Sequence, residues 1–355
     1  MKICVVVTAL CCAASVAVAQ TSGPTMKAIV AQRYGGPEVL DLAQRPEPIV
    51  GPTDVLIAVR AASLNPLDYK IRNGDVKLVL PFRPPIGLGC DVAGVVAGVG
   101  GRVSRFMAGN EVYARLEPMR MGGLAERVAA DESVVALKPA RASFEEAAAV
   151  PLAALTSLQA LRESAALQPG ERVLIQAGAG GVGTLAIQIA KILGLWVATT
   201  TSTKNIDFVK SLGADEVIDY TKERVSDRVR ELDAAFDTLG ASELESLRVV
   251  KHGGVVVGIA GLPDVTFARE SLPWWAPAAL WLATTKRRRV AARTGARFVY
   301  LFMRPDSLQL AEVANWIDAG TLKPVIHRTY PLGQFRDAFS ELERGRARGK
   351  IVVTM

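Results

Sequence analysis

Gly178, Gly180 and Gly183 fall in the run Val173-Leu174-Ile175-Gln176-Ala177-Gly178-Ala179-Gly180-Gly181-Val182-Gly183. A short apolar strand there turns through GxGxxG into a helix of small and apolar residues, Thr184 to Leu193. In that order the first glycine permits a tight turn and the second lets backbone approach a pyrophosphate. The third lets the helix pack close on the strand, and the helix N-terminus offers free N–H groups and partial positive charge. With Gly181 and Val182 completing the loop, the segment reads as a dinucleotide site; a ligand-free glycine turn is the plainer alternative. The next strand, Trp196 to Thr199, runs into Thr200-Thr201-Ser202-Thr203-Lys204, with no Asp or Glu where a ribose 2′-OH would be gripped. A carboxylate there would repel a 2′-phosphate, whereas hydroxyls and an ammonium suit it. Thr201, Ser202 and Lys204 are the expected phosphate contacts, and NADPH is expected over NADH. An ordinary solvated Thr/Ser loop is the alternative.

Two kinds of element must position these groups. From Met26 to about Val150 short strands alternate with Gly/Pro punctuation: Lys27–Ala31, Asp54–Ala62, Ala93–Val99, Glu111–Ala114 and Val134–Leu137. That predicts a compact β-rich domain. From Pro151 the rhythm changes to apolar strands alternating with helices: Val173–Gln176, Trp196–Thr199, Glu216–Asp219, Ala234–Asp237 and Val255–Ile259. That is an α/β pattern, a doubly wound parallel sheet with strands buried on both faces. The run Trp274 to Ala283 is apolar but too short to span a bilayer. It reads as a helix packed on the sheet, with a peripheral membrane contact beside the following arginines as the alternative. Beyond it, helix and strand alternate over Leu308–Ala319, Pro324–His327, Phe335–Glu343 and residues 349–353.

The chain has 355 residues, enough for two domains; half are apolar and 22% are charged. Of four cysteines, Cys4, Cys11 and Cys12 lie in the first dozen residues, leaving only Cys90 in the body. A disulfide framework or a four-ligand structural zinc site is excluded there. Net charge is +7. Part of the excess sits in Lys286-Arg287-Arg288-Arg289 and in Arg344, Arg346, Arg348 and Lys350, which read as solvated faces. No nucleic-acid motif is present.

The N-terminus pulls the other way. Lys2, an apolar run from Ile3 to Ala19 and Ala17-Val18-Ala19 before Gln20 read as a secretory signal peptide. An uncleaved anchor and a true start at Met26 are the alternatives. A genuine signal peptide predicts a periplasmic or secreted protein; otherwise a cytoplasmic one is expected, which suits NADPH.

Leu64-Asn65-Pro66-Leu67-Asp68, Gly89-Cys90-Asp91-Val92-Ala93-Gly94-Val95-Val96, the glycine loop, Leu212-Gly213-Ala214-Asp215, Ile218-Asp219-Tyr220, Phe236-Asp237 and Gly349-Lys350-Ile351-Val352 follow in one order. Together they resemble the medium-chain dehydrogenase/reductase family, in its zinc-independent quinone oxidoreductase and enone (alkenal) reductase branch. The resemblance implies a GroES-like β domain with a Rossmann domain inserted before its C-terminal part. The expected boundaries are 1–25 for the extension, 26–150, 151–295 and 296–355. It implies hydride transfer to a small neutral quinone or enone, a non-catalytic NADPH-binding protein being the competing class.

Zinc-dependent relatives carry Gly-His-Glu where this chain has Gly89-Cys90-Asp91; with Asn65 at the second ligand position, no metal is expected. The resemblance points to Lys70 as hydrogen-bond donor or proton source, with Tyr69 as understudy and Asn65 shaping the loop. Solvent-facing Lys70 and Arg72, with Asp68 holding Arg72 one helical turn on, is the alternative. Further cofactor contacts implied are Thr156, Tyr220, Leu239, Ile259, Phe302, Met303 and Lys350. Family members often dimerise through the last strands of the Rossmann sheet, making Val255–Ile259 the expected edge of a homodimer.

Overall fold

The computed structural model describes residues 23–355; the expected leader lies outside them. Asp54–Leu64 is the centre of a seven-stranded sheet. It pairs antiparallel with Lys350–Thr354 on one side and Asp91–Val99 on the other, and Arg127–Asp131 also joins it. Glu111–Arg115 and Val135–Leu137 extend one edge, and Ile326–Pro331 closes the other. A small sheet of Leu40–Pro46, Thr25–Ala31 and Ile86–Gly87 lies beside it. The C-terminal strands thus return to the first domain.

The second domain is a six-stranded parallel sheet. Its order is Glu216–Asp219, Trp196–Thr201, Arg172–Ile175, Leu232–Asp237, Val250–Gly258 and Arg297–Tyr300. Two expectations are corrected here. The strand Val250–Gly258, which carries most of the edge expected at Val255–Ile259, is interior, because Arg297–Tyr300 pairs along it and forms the edge instead. That strand also carries the sheet past the boundary expected at residue 295. Its Arg297 is exposed and the other three residues are only partly buried, so it lacks the buried apolar run that marks the interior strands.

The wedge between the domains is the helix Pro151–Leu158, with every residue but Leu152 buried. Proline opens it at a position where its missing N–H costs nothing. One apolar cluster runs through it, from Ala61, Ala93 and Val352 to Val173, Phe236 and Val257. The helix Ala276–Ala283 behaves differently from expectation. It packs chiefly on its neighbour Val265–Ser271 and buries only Ala276 and Leu280. Trp274 is 92% exposed, and Trp275, Trp281 and Leu282 also face outward. Arg287 in the basic run is not solvated either: it is buried over the Phe298 ring and paired with Glu243 at 2.9 Å. Among the described residues no helix is long and apolar enough to cross a membrane.

Candidate active site

The glycine loop is built as its spacing requires. A Cβ on Gly178 would lie 2.1 Å from the Thr199 hydroxyl, and one on Gly183 would lie 2.3 Å from the Ala177 carbonyl. Both glycines therefore let strand, turn and helix close up. Gly180 differs: a Cβ there would meet only the Ala177 carbonyl, at 3.3 Å, and otherwise stand in open space. That space belongs to two cavities.

Three cavities share walls and make one cleft. The outer one, about 480 Å³, is lined by Gly180, Thr201, Ser202, Thr203, Lys204, Asn205, Tyr220 and Arg346. The middle one, about 260 Å³, is lined by Gly180 to Gly183, Leu239, Gly349 and Lys350. The inner one, about 200 Å³, is lined by Asn65, Lys70, Arg115, Leu152, Thr156, Val182, Thr238, Ile259, Phe302 and Met303. Gly180 joins the first to the second; Asn65, Leu152, Val182 and Thr238 join the second to the third. The expected cofactor residues all line this cleft except Gly178, whose part is in the turn. A cradle open at Gly180, with hydroxyls and cations at one end and apolar walls at the other, fits an NADP molecule lying along it.

The catalytic candidates separate. Pro66, Leu67 and Lys70 share one face of the helix Pro66–Asn73 and line the inner cavity. Tyr69 is turned about 100° away and packs on the first domain's core, outside the cleft. Burial and the carboxylates of Glu343 and Asp75 push its phenol above the ordinary range. Asn65 lines the cavity, but its amide is fully engaged. Nδ2 donates to Asp91 Oδ2 at 2.9 Å and to Cys90 Sγ at 3.4 Å, while Oδ1 accepts from the Lys350 ammonium. Lys350 also donates to the Leu64 carbonyl at 3.1 Å and stands 3.6 Å from Asp91. Its charge is thus committed within the first domain, while its stem lies against Gly181 of the second. Asp91 completes the junction by accepting from Ser63 Oγ at 3.1 Å and from the Leu152 N–H at 2.9 Å. The latter places a carboxylate at the start of the wedge helix, where the helix dipole favours it.

The Asp68–Arg72 pair, the alternative reading of this helix, does not form. Asp68, fully buried, accepts from the Asn65 N–H at 2.7 Å and the Gly89 N–H at 2.9 Å. Burial raises its pKa to about 6 despite those two bonds. Arg72 is also buried, and reaches Glu343 instead at 2.7 Å. Burial likewise pushes the Cys90 thiol well above its ordinary range.

Several residues escaped the sequence reading. Arg346 lines the outer cavity from the C-terminal loop, where it read as part of a solvated basic run. Arg348 braces that wall, donating to Asn205 Oδ1 at 2.8 Å. Gln159 holds the Phe302–Met303 loop: its amide donates to the Arg304 carbonyl at 2.9 Å and accepts from the Arg304 N–H at 3.1 Å. Arg115 gave no signal at all, being one basic residue at the end of an apolar strand.

Comparison with known proteins agrees with this geometry. Residues 51–160 match the family model for an alcohol dehydrogenase GroES-like domain, and residues 212–353 match that for a zinc-binding dehydrogenase. The 2-methylene-furan-3-one reductase of Solanum lycopersicum is 38% identical over 92% of this chain and 79% of its own. The chloroplastic NADPH-dependent alkenal/one oxidoreductase of Arabidopsis thaliana is 37% identical over the same shares. The quinone oxidoreductase structure from Coxiella burnetii superposes with a TM-score of 0.82, at 34% identity, over 94% of this chain and all of that one. The chain belongs to the medium-chain dehydrogenase/reductase family, in its quinone oxidoreductase and alkenal/one reductase branch.

Proposed function

We propose that this protein is an NADPH-dependent reductase of quinones or α,β-unsaturated carbonyls that works without zinc. The observation that carries this reading is the inner cavity: apolar walls, two cationic side chains and no carboxylate, continuous with the nucleotide cleft. Bound along that cleft, NADPH supplies a hydride. Thr201, Ser202, Lys204 and Arg346 hold the phosphate at the far end, and Thr156, Ile259, Phe302 and Met303 wall the inner end. Lys70 donates a hydrogen bond or a proton to the oxygen that gains charge. The names of relatives that reduce a furanone, an alkenal/one or a quinone support the substrate class.

The donor set argues against zinc on chemical grounds. Around Asn65 and Asp91 the place of a cation is already taken by the Lys350 ammonium, and the one thiol is held in its neutral form by burial. A non-catalytic NADPH binder would be favoured by a cleft plugged with tryptophan. Trp274, Trp275 and Trp281 line none of the three cavities.

The test follows NADPH absorbance against a panel of neutral enones and quinones. Consumption with at least one of them is expected; consumption with none refutes the reading. Semiquinone rather than saturated ketone or quinol among the products would mark one-electron chemistry. We propose further that the protein is a homodimer through the edge strand Arg297–Tyr300, whose outer backbone groups no other strand of the sheet pairs. The exposed face of Trp274, Trp275, Trp281 and Leu282, with Arg288 stacked on Trp281 at 4.0 Å, supports a peripheral membrane contact.

A further inference from the structure

Arg115 is 1% exposed and lines the inner cavity. It ends the strand Glu111–Arg115 directly opposite Asp91, which in turn lies opposite Ser63, so the three side chains share one face of the sheet. Asp91 nevertheless belongs to Ser63, Asn65, Leu152 and Lys350. Among the described residues no carboxylate comes within ion-pair distance of Arg115. Its guanidinium donates from Nη1 to the adjacent Leu116 carbonyl, while Nε is buried with no partner.

A guanidinium cannot shed its proton to escape burial, so the charge stays and stays unpaired. An isolated buried charge is costly, and structures keep one where a ligand completes it. The cavity it lines is about 200 Å³, room for a small planar molecule, and its other cation is Lys70. We propose that Arg115 is a catalytic residue of this reductase: it holds the substrate oxygen that turns anionic as hydride arrives.

The proposal rests on the reductase reading above. A hydride brings two electrons to the β-carbon of the enone. The C=C pair shifts toward the carbonyl carbon, the C=O pair moves onto oxygen, and NADPH is oxidised to NADP⁺. The oxygen then carries a full negative charge, which a proton from Lys70 or water neutralises at the α-carbon or oxygen. The starting carbonyl is neutral, so Arg115 gains most as the charge develops, which is the condition for accelerating the step rather than merely binding substrate. Asp91 faces Arg115 from the paired strand, Cys90 lies within reach of its charge, and Lys70 lines the same cavity.

The test uses p-nitrophenol, a planar oxygen acid whose anion is coloured, bound to the protein with NADP⁺ present. In the wild type its apparent pKa is expected to fall by at least one pH unit, a tenfold preference for the anion. Arg115→Lys should keep part of that shift and Arg115→Met should lose it, with NADPH affinity unchanged in both as the check on folding. With the best neutral enone of the panel, Arg115→Met should lower kcat on the order of 100-fold with little change in KM. A probe that titrates identically in wild type and Arg115→Met overturns the proposal, and so does a loss confined to KM. If the phenolate shift depends on Arg115 but no enone or quinone consumes NADPH, the oxyanion subsite stands and the reductase reading falls.

Discussion

Replacing Asp68 by asparagine should remove a pH-dependent weakness beneath the helix Pro66–Asn73 of the first domain. Asp68 is wholly buried, and its pKa rises from 3.8 to about 6, chiefly because burial disfavours the carboxylate. Between those two values the folded chain holds a proton that the unfolded chain has released. Stability therefore falls as pH climbs through that window, and the loss is complete above pH 6. About two pH units at about 1.4 kcal/mol each come to about 3 kcal/mol. The Asp68→Asn variant would carry no such titration. Its amide would keep one acceptor, but the NH2 group would face the N–H of Asn65 or Gly89, costing about 1–3 kcal/mol. The variant should thus melt below the wild type at pH 4 and match or exceed it by pH 7.5. For a chain of this length the entropy of unfolding is about 0.7 kcal/mol/K, so the Tm difference should swing by about 4 °C. Parallel melts from pH 4 to 8 measure it, since other carboxylates titrate in both proteins and cancel. A Tm difference that stays constant across that range would refute the reasoning.

Three further outcomes are expected. Lys204→Ala and Arg346→Ala should each weaken NADPH about tenfold or more while leaving NADH unchanged, measured by fluorescence titration; an equal loss for both cofactors would move the 2′-phosphate elsewhere. Lys70→Ala should lower turnover at least tenfold, and an unchanged rate would assign the proton to water or the cofactor ribose. Mass spectrometry of the protein from its native host reads the mature start: a chain beginning at Gln20 would identify a cleaved leader, intact Met1 an anchor, and Met26 a shorter start.

The parallel sheet was legible because buried strands such as Val173–Ile175 read as unbroken apolar runs, and because the glycine loop admits few substitutes. Arg297–Tyr300 was not, since an edge strand half open to solvent needs no such run. Choosing between Tyr69 and Lys70 depends on the rotation of a two-turn helix, which is set by what Ile71 and Arg72 bury. Asp68 and Arg72 have the spacing of a helical ion pair, yet Gly89 and Glu343 compete for them from 21 and 271 residues away. Arg115 shows the limit most plainly. Its meaning comes from strand register, which sets it opposite an aspartate already claimed by Lys350, and no local pattern encodes that.

Gly349 sits at φ +82°, donates its N–H to the Ala179 carbonyl at 3.0 Å, and bridges Gly180. One lip of the nucleotide cradle is therefore lent by the terminal segment of the other domain. The orientation of the two domains and the shape of the phosphate cradle are thus fixed by the same backbone bond, so a residue with a side chain at Gly349 would disturb both at once.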